Sequence, residues 1–258
     1  MLARGRWGGS SNAASLLPNE SCTYSVCHSV CGAGVDWYTH PYARWQVLAY
    51  LSPVTITFWT SERTHRWETR SLMQHLKAVN NQAMYSVVHG GLDVSLRKKS
   101  INFLASLPFD GMCIGGALGK TKDDLQAMLS AIAPEIPRSI PTHLLGIADV
   151  ESINHGVSLG MDTFDSCYPT RLARHGTVLV REGKGKINIR RSAFAQDFST
   201  PLDPGCSCQT CLSHSRAYIR HLCKAHEPSA DTLITLHNIR FMNDAMAKVR
   251  QQIRDNEL

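Results

Sequence analysis

At 258 residues and 43% hydrophobic, the chain can bury a full core, as one large α/β domain or two small ones. No apolar run reaches the roughly 18 residues of a membrane span, and Met1-Leu2-Ala3-Arg4 does not open a secretory signal, so a soluble, cytoplasmic setting is expected. The formal charge of +6 is concentrated: Asp165–Lys224 holds ten basic residues against four acidic ones, and the remainder balances. Basic charge gathered in one region is the footprint of a polyanion partner held through phosphates, with a solvated surface stretch as the bland alternative. Nine cysteines suit a reducing compartment.

Residues 1–60 show no sustained period. They hold Trp7, Trp37, Trp45 and Trp59, and Cys22, Cys27 and Cys31 at spacings that match no metal site, so they are expected to be foreign to the fold that follows. From there helix and strand alternate. Glu68–Asn80 has helical spacing through Leu72, Leu76 and Val79. Met84–Val88 is a β-prone run closed by His89-Gly90-Gly91, and Asp93 can cap a helix to Leu107 that uses Leu96, Ile101 and Leu104. Met112–Ile114 is a buried strand closed by Gly115-Gly116, and a helix over Lys122–Ala133 follows. Thr142–Gly146 is the next strand, Val150–Leu159 the next helix, and Met161–Phe164 leads into Asp165. Such alternation argues for βαβ units and a parallel sheet.

The glycine pairs, Gly146 and Asp165 all fall just after strands, so they should share one rim, where a (β/α)₈ barrel builds its active site. Asp165 could instead cap a turn or pair with Arg171 or Arg174, and Asp162 is the nearest rival carboxylate. Further on, Cys206, Cys208 and Cys211 are too crowded to pair with one another and suit a tetrahedral Zn²⁺ site. On spacing alone the fourth ligand stays open among His237, His214, His221, His226 and Cys223.

Several collinear blocks are similar to the tRNA-guanine transglycosylases (queuine tRNA-ribosyltransferases). They are Arg63-Thr64-His65-Arg66-Trp67, Gly160 through Arg171, Ile187-Asn188-Ile189-Arg190, Pro201-Leu202-Asp203, the cysteine run, Ser215–Ile219 and His237-Asn238. The resemblance covers about 61–254. It implies a (β/α)₈ barrel with a C-terminal zinc-binding subdomain: the rear of the barrel over 61–200 and the zinc subdomain with its helices over 201–258. It implies exchange of guanine at the wobble position of tRNA for a 7-deazaguanine, through a covalent aspartyl–RNA intermediate with Asp165 as nucleophile. His89, Gly90, Gly115 and Gly116 then face the base. Gly146, Ile147, Ala148, Asp149, Val150, Glu151 and Ser152 form one RNA-contacting loop, and Thr170, Arg171, Leu172, Ala173 and Arg174 a second RNA segment. Cys206, Cys208, Cys211 and His237 hold one structural Zn²⁺. The implied partners are tRNA and a queuine-type base, with no membrane; a homodimer is one assembly open to it.

This chain departs from the family pattern at His89, where a glutamine is usual, in the shortened Gly115–Gly119 loop, and at Ala148-Asp149 in place of Gly-Lys. The family's first third, with its proton-accepting aspartate and a second base-binding aspartate, is expected to have no counterpart in 1–60. The alternatives to an active transglycosylase are therefore a catalytically silent truncated homologue, a tRNA-binding partner subunit, or a half barrel that folds poorly because its sheet edge is open.

Overall fold

Four short strands carry the expected apolar runs: β1 (Tyr85–Val88), β2 (Gly111–Ile114), β3 (Thr142–Leu144) and β4 (Thr163–Phe164). In the computed structural model they form one parallel sheet in the order β1-β2-β3-β4. Residues 53–77, 81–116 and 118–257 are described, with side chains from 59 onward. The expectations for the rest of 1–60, including Cys22, Cys27 and Cys31, fall outside the described residues, as does Val79. Helices make the crossovers a parallel sheet requires: α2 (Val94–Ala105), α3 (Lys122–Ile132) and α4 (Val150–Ser158), after an opening helix α1 (Pro53–Lys77). Among the described residues this is a four-stranded parallel α/β sheet, and a complete barrel is not shown.

Each crossover helix starts where its polar residue dictates. Asp93 accepts from Leu96 N–H at 2.9 Å, Thr121 and Asp124 form a reciprocal capping box, and Asp149 accepts from Ser152 N–H at 3.2 Å. The sheet register separates two faces. Val88, Ile114, Leu144 and Phe164 are successive partners directed to the core shared with Ile101, Leu104, Leu125, Leu129 and Ile132. Each such buried aliphatic side chain contributes about 1.5–3 kcal/mol. Val87, Cys113, His143 and Thr163 are the partners one residue earlier and face the other way.

The first helix differs from its reading. It begins at Pro53 rather than Glu68, and Leu76 is 54% exposed while Leu72 is 2% exposed. Its inward stripe is Ser61, His65, Glu68 and Leu72, mostly polar, so a count of apolar residues finds the wrong face. His65 Nε2 meets Ser100 Oγ at 2.8 Å, and Glu68 Oε1 accepts the Val87 N–H at 3.0 Å. That carboxylate satisfies a backbone donor of β1 on the side away from β2.

Beyond β4 come α5 (Tyr168–Arg174), an antiparallel ribbon of β5 (Thr177–Leu179) and β6 (Lys186–Asn188), then α6 (Gln209–Ser213), α7 (Arg216–Lys224) and the long α8 (Pro228–Arg254). They enclose a second core around Val178, Ile189, Leu202, Ile219 and Ile234. The chain from Thr57 to Leu258 is one compact unit. No described helix is long and apolar enough to cross a membrane.

Candidate functional site: the carboxyl rim and the thiol corner

Because the four strands are parallel, everything that follows a strand emerges on one edge. His89-Gly90-Gly91 follows β1, Gly115-Gly116 follows β2, Gly146 follows β3 and Asp165 follows β4. Arg97 of α2, fully buried, joins the first two of these turns. It donates to Val88 O at 3.1 Å, Gly91 O at 2.7 Å and Gly115 O at 2.9 Å, and burial pulls its guanidinium down to about 10. Gly90, at φ 144°, has no room for a side chain, since a Cβ would sit 2.7 Å from Arg97 N. The His89 ring faces Gly116, its Nδ1 being the nearest atom to where a Gly116 Cβ would stand.

Asp165 is 60% exposed. Its Oδ1 accepts from Gly146 N–H at 3.0 Å and meets His143 Nε2 at 3.1 Å, while His143 Nδ1 meets Thr163 Oγ1 at 2.8 Å. Neither Arg171 nor Arg174 pairs with it. Asp162 is engaged at the opposite end of the strands, accepting the Thr142 N–H at 2.7 Å. The sequence marks His143 only as part of a strand; its place beside the carboxylate comes from the β3–β4 register, which local sequence does not reveal.

Next to Asp165 lies a cavity of about 330 Å³ lined by Gly146, Ile147, Ala148, Asp149, Ser166, Tyr168 and three cations, Lys122, Arg171 and Lys186. Lys122, at the start of α3, bridges Asp149 Oδ1 at 2.9 Å and Glu151 Oε2 at 2.6 Å. Of the residues expected to touch RNA, Gly146, Val150, Glu151, Arg171 and Arg174 are exposed. Ser152 and Ala173 are buried, and Ile147, Ala148 and Leu172 pack against apolar neighbours. Thr170 Oγ1 donates to Cys167 O at 3.0 Å. Within the basic stretch Arg181 is engaged by Asp203 and Asp244, and Arg216 lies beside Asp197.

The thiol corner is closed. Cys206, Cys208, Cys211 and His237 are at most 8% exposed, and one ligand atom from each lies within 4.8 Å of the others. His237 Nδ1 stands 3.3 Å from Cys211 Sγ and 3.6 Å from Cys208 Sγ. Its Nε2–H donates to Leu179 O at 2.7 Å, which fixes the tautomer and turns the lone pair toward the thiols. Burial, with Cys208 and Cys206 alongside, pushes the Cys211 thiol up to about 12. Three buried sulfurs around an oriented imidazole are a donor set that a soft divalent metal ion fits. His214, His221, His226 and Cys223 stand outside the cluster; His214 instead stacks on Tyr218 at 5.0 Å.

Asn238 ties this corner to the rim. Its Oδ1 accepts the Leu179 N–H at 2.9 Å, and its Nδ2 donates to Pro169 O at 3.0 Å and Thr177 O at 3.1 Å. Adjacent residues of α8 therefore hold both the metal corner and the start of α5, which carries Arg171.

This is an α/β protein that presents an exposed carboxylate on its sheet rim and ties that rim to a Cys₃His corner that could hold a metal ion. The family model for Queuine tRNA-ribosyltransferase matches residues 59–258, and the chain belongs to that family. A Queuine tRNA-ribosyltransferase of Protochlamydia amoebophila is 51% identical over 195 residues, which is 76% of this chain and 50% of the relative. Relatives of the same name are 45% identical in Chlamydia caviae, over 76% of this chain and 52% of the relative, and 44% identical in a Roseiflexus species, over 74% and 51%. The chain spans about half the length of the curated relatives it matches.

Proposed function

We propose that the chain is the nucleophile-bearing and RNA-binding part of a tRNA-guanine transglycosylase. In this reading Asp165 attacks the ribose anomeric carbon of the wobble guanosine, the guanine leaves with the glycosidic electron pair, and a 7-deazaguanine later displaces the carboxylate. The single observation that carries it is the state of Asp165: one oxygen is held by two rim donors, and the side chain is otherwise open to solvent. Arg171 and Lys186 supply positive charge where an RNA backbone passes, and Arg174 extends it, while Lys122 is occupied by Asp149 and Glu151. His89, Gly90, Gly115 and Gly116 form the wall toward the base, shaped by Arg97 from behind.

Cys206, Cys208, Cys211 and His237 would hold Zn²⁺, whose contribution is a structural cross-link that neutralises the thiolates. The sheet region up to about residue 200 then works as the rear of a (β/α)₈ barrel, and 201–258 as its zinc-binding subdomain. A tRNA-modifying protein of this kind belongs in the cytoplasm.

Incubation of the chain with cognate tRNA and labelled guanine tests the proposal, with a denaturing gel for a covalent protein–RNA species. Label exchange and a trapped adduct that both vanish in Asp165→Asn support it; exchange that survives the substitution removes Asp165 from the chemistry. A second reading, a tRNA-binding partner without turnover, is favoured by the outer side of β1, where among the described residues Glu68 accepts the Val87 N–H. Tight tRNA binding with no exchange would select it.

A further inference from the structure

We propose that His143 is a positioning residue that selects which oxygen of Asp165 attacks, an inference that rests on the transglycosylase reading for its kinetic consequence but not for its geometry. Both donors to the carboxylate, His143 Nε2 and Gly146 N–H, converge on Oδ1. Oδ2 accepts nothing among the described residues. A carboxylate so exposed would otherwise rotate about its last bond and present either oxygen at many angles. Two donors on one oxygen stop that rotation and leave Oδ2 as the only free nucleophilic atom.

The tautomer follows from valence. An ionised carboxylate only accepts, so Nε2 must carry a proton; the neutral ring then has its lone pair on Nδ1, and the Thr163 hydroxyl donates to it. Thr163 is the register partner of His143 in the parallel ladder, so backbone pairing places that hydroxyl at Nδ1. The imidazole is thus held by strand geometry on one side and holds the nucleophile on the other. Cys113, the register partner from β2, stands on the remaining flank, with its thiol raised by burial and by the Asp165 and Glu68 charges, so it stays a neutral neighbour.

Two measurements on the full chain test this. In two-bond ¹H–¹⁵N correlation spectra, where the ring is neutral, His143 should appear as the Nε2–H tautomer, and Asp165→Ala should relax it to a mixture. This readout needs no catalysis. In single-turnover adduct formation with tRNA, His143→Phe should slow the reaction about tenfold to a hundredfold, the scale expected for a misplaced reacting group. His143→Gln, whose amide can donate from nearly the same point, should recover most of the rate. Metal content and tRNA affinity should match the unaltered chain in both variants. An Nδ1–H tautomer, a tautomer indifferent to Asp165→Ala, or full speed in His143→Phe would each overturn the proposal. If the unaltered chain forms no adduct, the transglycosylase reading fails and the tautomer result alone decides His143.

Discussion

The carboxyl rim and the Cys₃His corner lie in the same compact unit, yet they are built on opposite principles. In the corner every functional atom is buried and oriented: three sulfurs and Nδ1 converge, Nε2 is tied to Leu179, and Asn238 saturates the adjoining backbone. At the rim the key carboxylate is exposed, half of it is free, and the neighbouring cations line an open cavity. Under the proposed function, the contrast teaches which site stabilises and which one reacts. A donor set closed to solvent gains from a metal ion by cross-linking the fold, whereas a nucleophile must keep one face empty for its substrate.

Substitutions that affect one region and spare the other are the sharpest way to break this contrast. The largest expected effect is on chemistry at the rim. Asp165→Asn should lower exchange on the order of 10⁴-fold or more, while metal content and thermal midpoint stay put. A large fall in the melting temperature would mean that Asp165 is structural after all.

Cys208→Ala should do the reverse. Metal analysis should show the ion lost, and limited proteolysis should cut within 201–254, because binding energy at such a site is folding energy, on the order of 10 kcal/mol in isolated zinc modules. Retention of a full equivalent of metal would contradict the ligand set.

Asn238→Ala probes the tie between the regions. It strands a buried N–H, a buried carbonyl and a part-buried one, which should destabilise the chain by about 3 kcal/mol in denaturant titrations. It should also weaken tRNA binding, since α5 loses its anchor. Destabilisation with unchanged tRNA affinity would show that rim and corner are mechanically independent.

Arg171→Ala should weaken tRNA binding several-fold at low salt and reduce the slope of log affinity against log salt by about 0.7–0.9, the value of one phosphate contact. An unchanged slope would mean that this side chain meets no phosphate.

The smallest effect concerns Glu68. Burial raises its carboxyl from 4.5 to about 7. The folded chain therefore keeps this proton where the unfolded chain has released it. Its contribution to stability is full below about pH 4.5 and is lost as the pH rises through 7. Glu68→Gln, which keeps an acceptor for the Val87 N–H, should flatten the pH dependence of stability across that window. A curve unchanged by the substitution would show that the carboxyl is solvated.

Much of this was legible from local pattern. Asp93 capping α2, the alternation of strands and helices, and the turn glycines follow from capping chemistry and period, which act over a few residues. The three cysteines announced a metal site by spacing alone, but five candidates competed for the fourth position, because a ligand 26 residues beyond Cys211 is chosen by helix packing rather than by spacing. The opening helix departs from its apolar count for a related reason: its inward face holds Ser61, His65 and Glu68, polar residues that only a partner surface can select.

By itself, then, the order of residues determined where strands end, and hence that glycines and Asp165 gather on one edge, since parallel pairing sends every strand's carboxyl end the same way. It also gathered three thiols within six residues, a donor set that a soft metal ion fits. Tertiary structure alone decided the partners: His143 on Oδ1, Lys122 across from Asp149, Arg97 behind the glycine turns after β1 and β2, and Asn238 between corner and rim. Most of those contacts join residues 18 to 69 positions apart. No local rule reaches that far, because such pairs meet only when the sheet register and the packing of α8 bring them together.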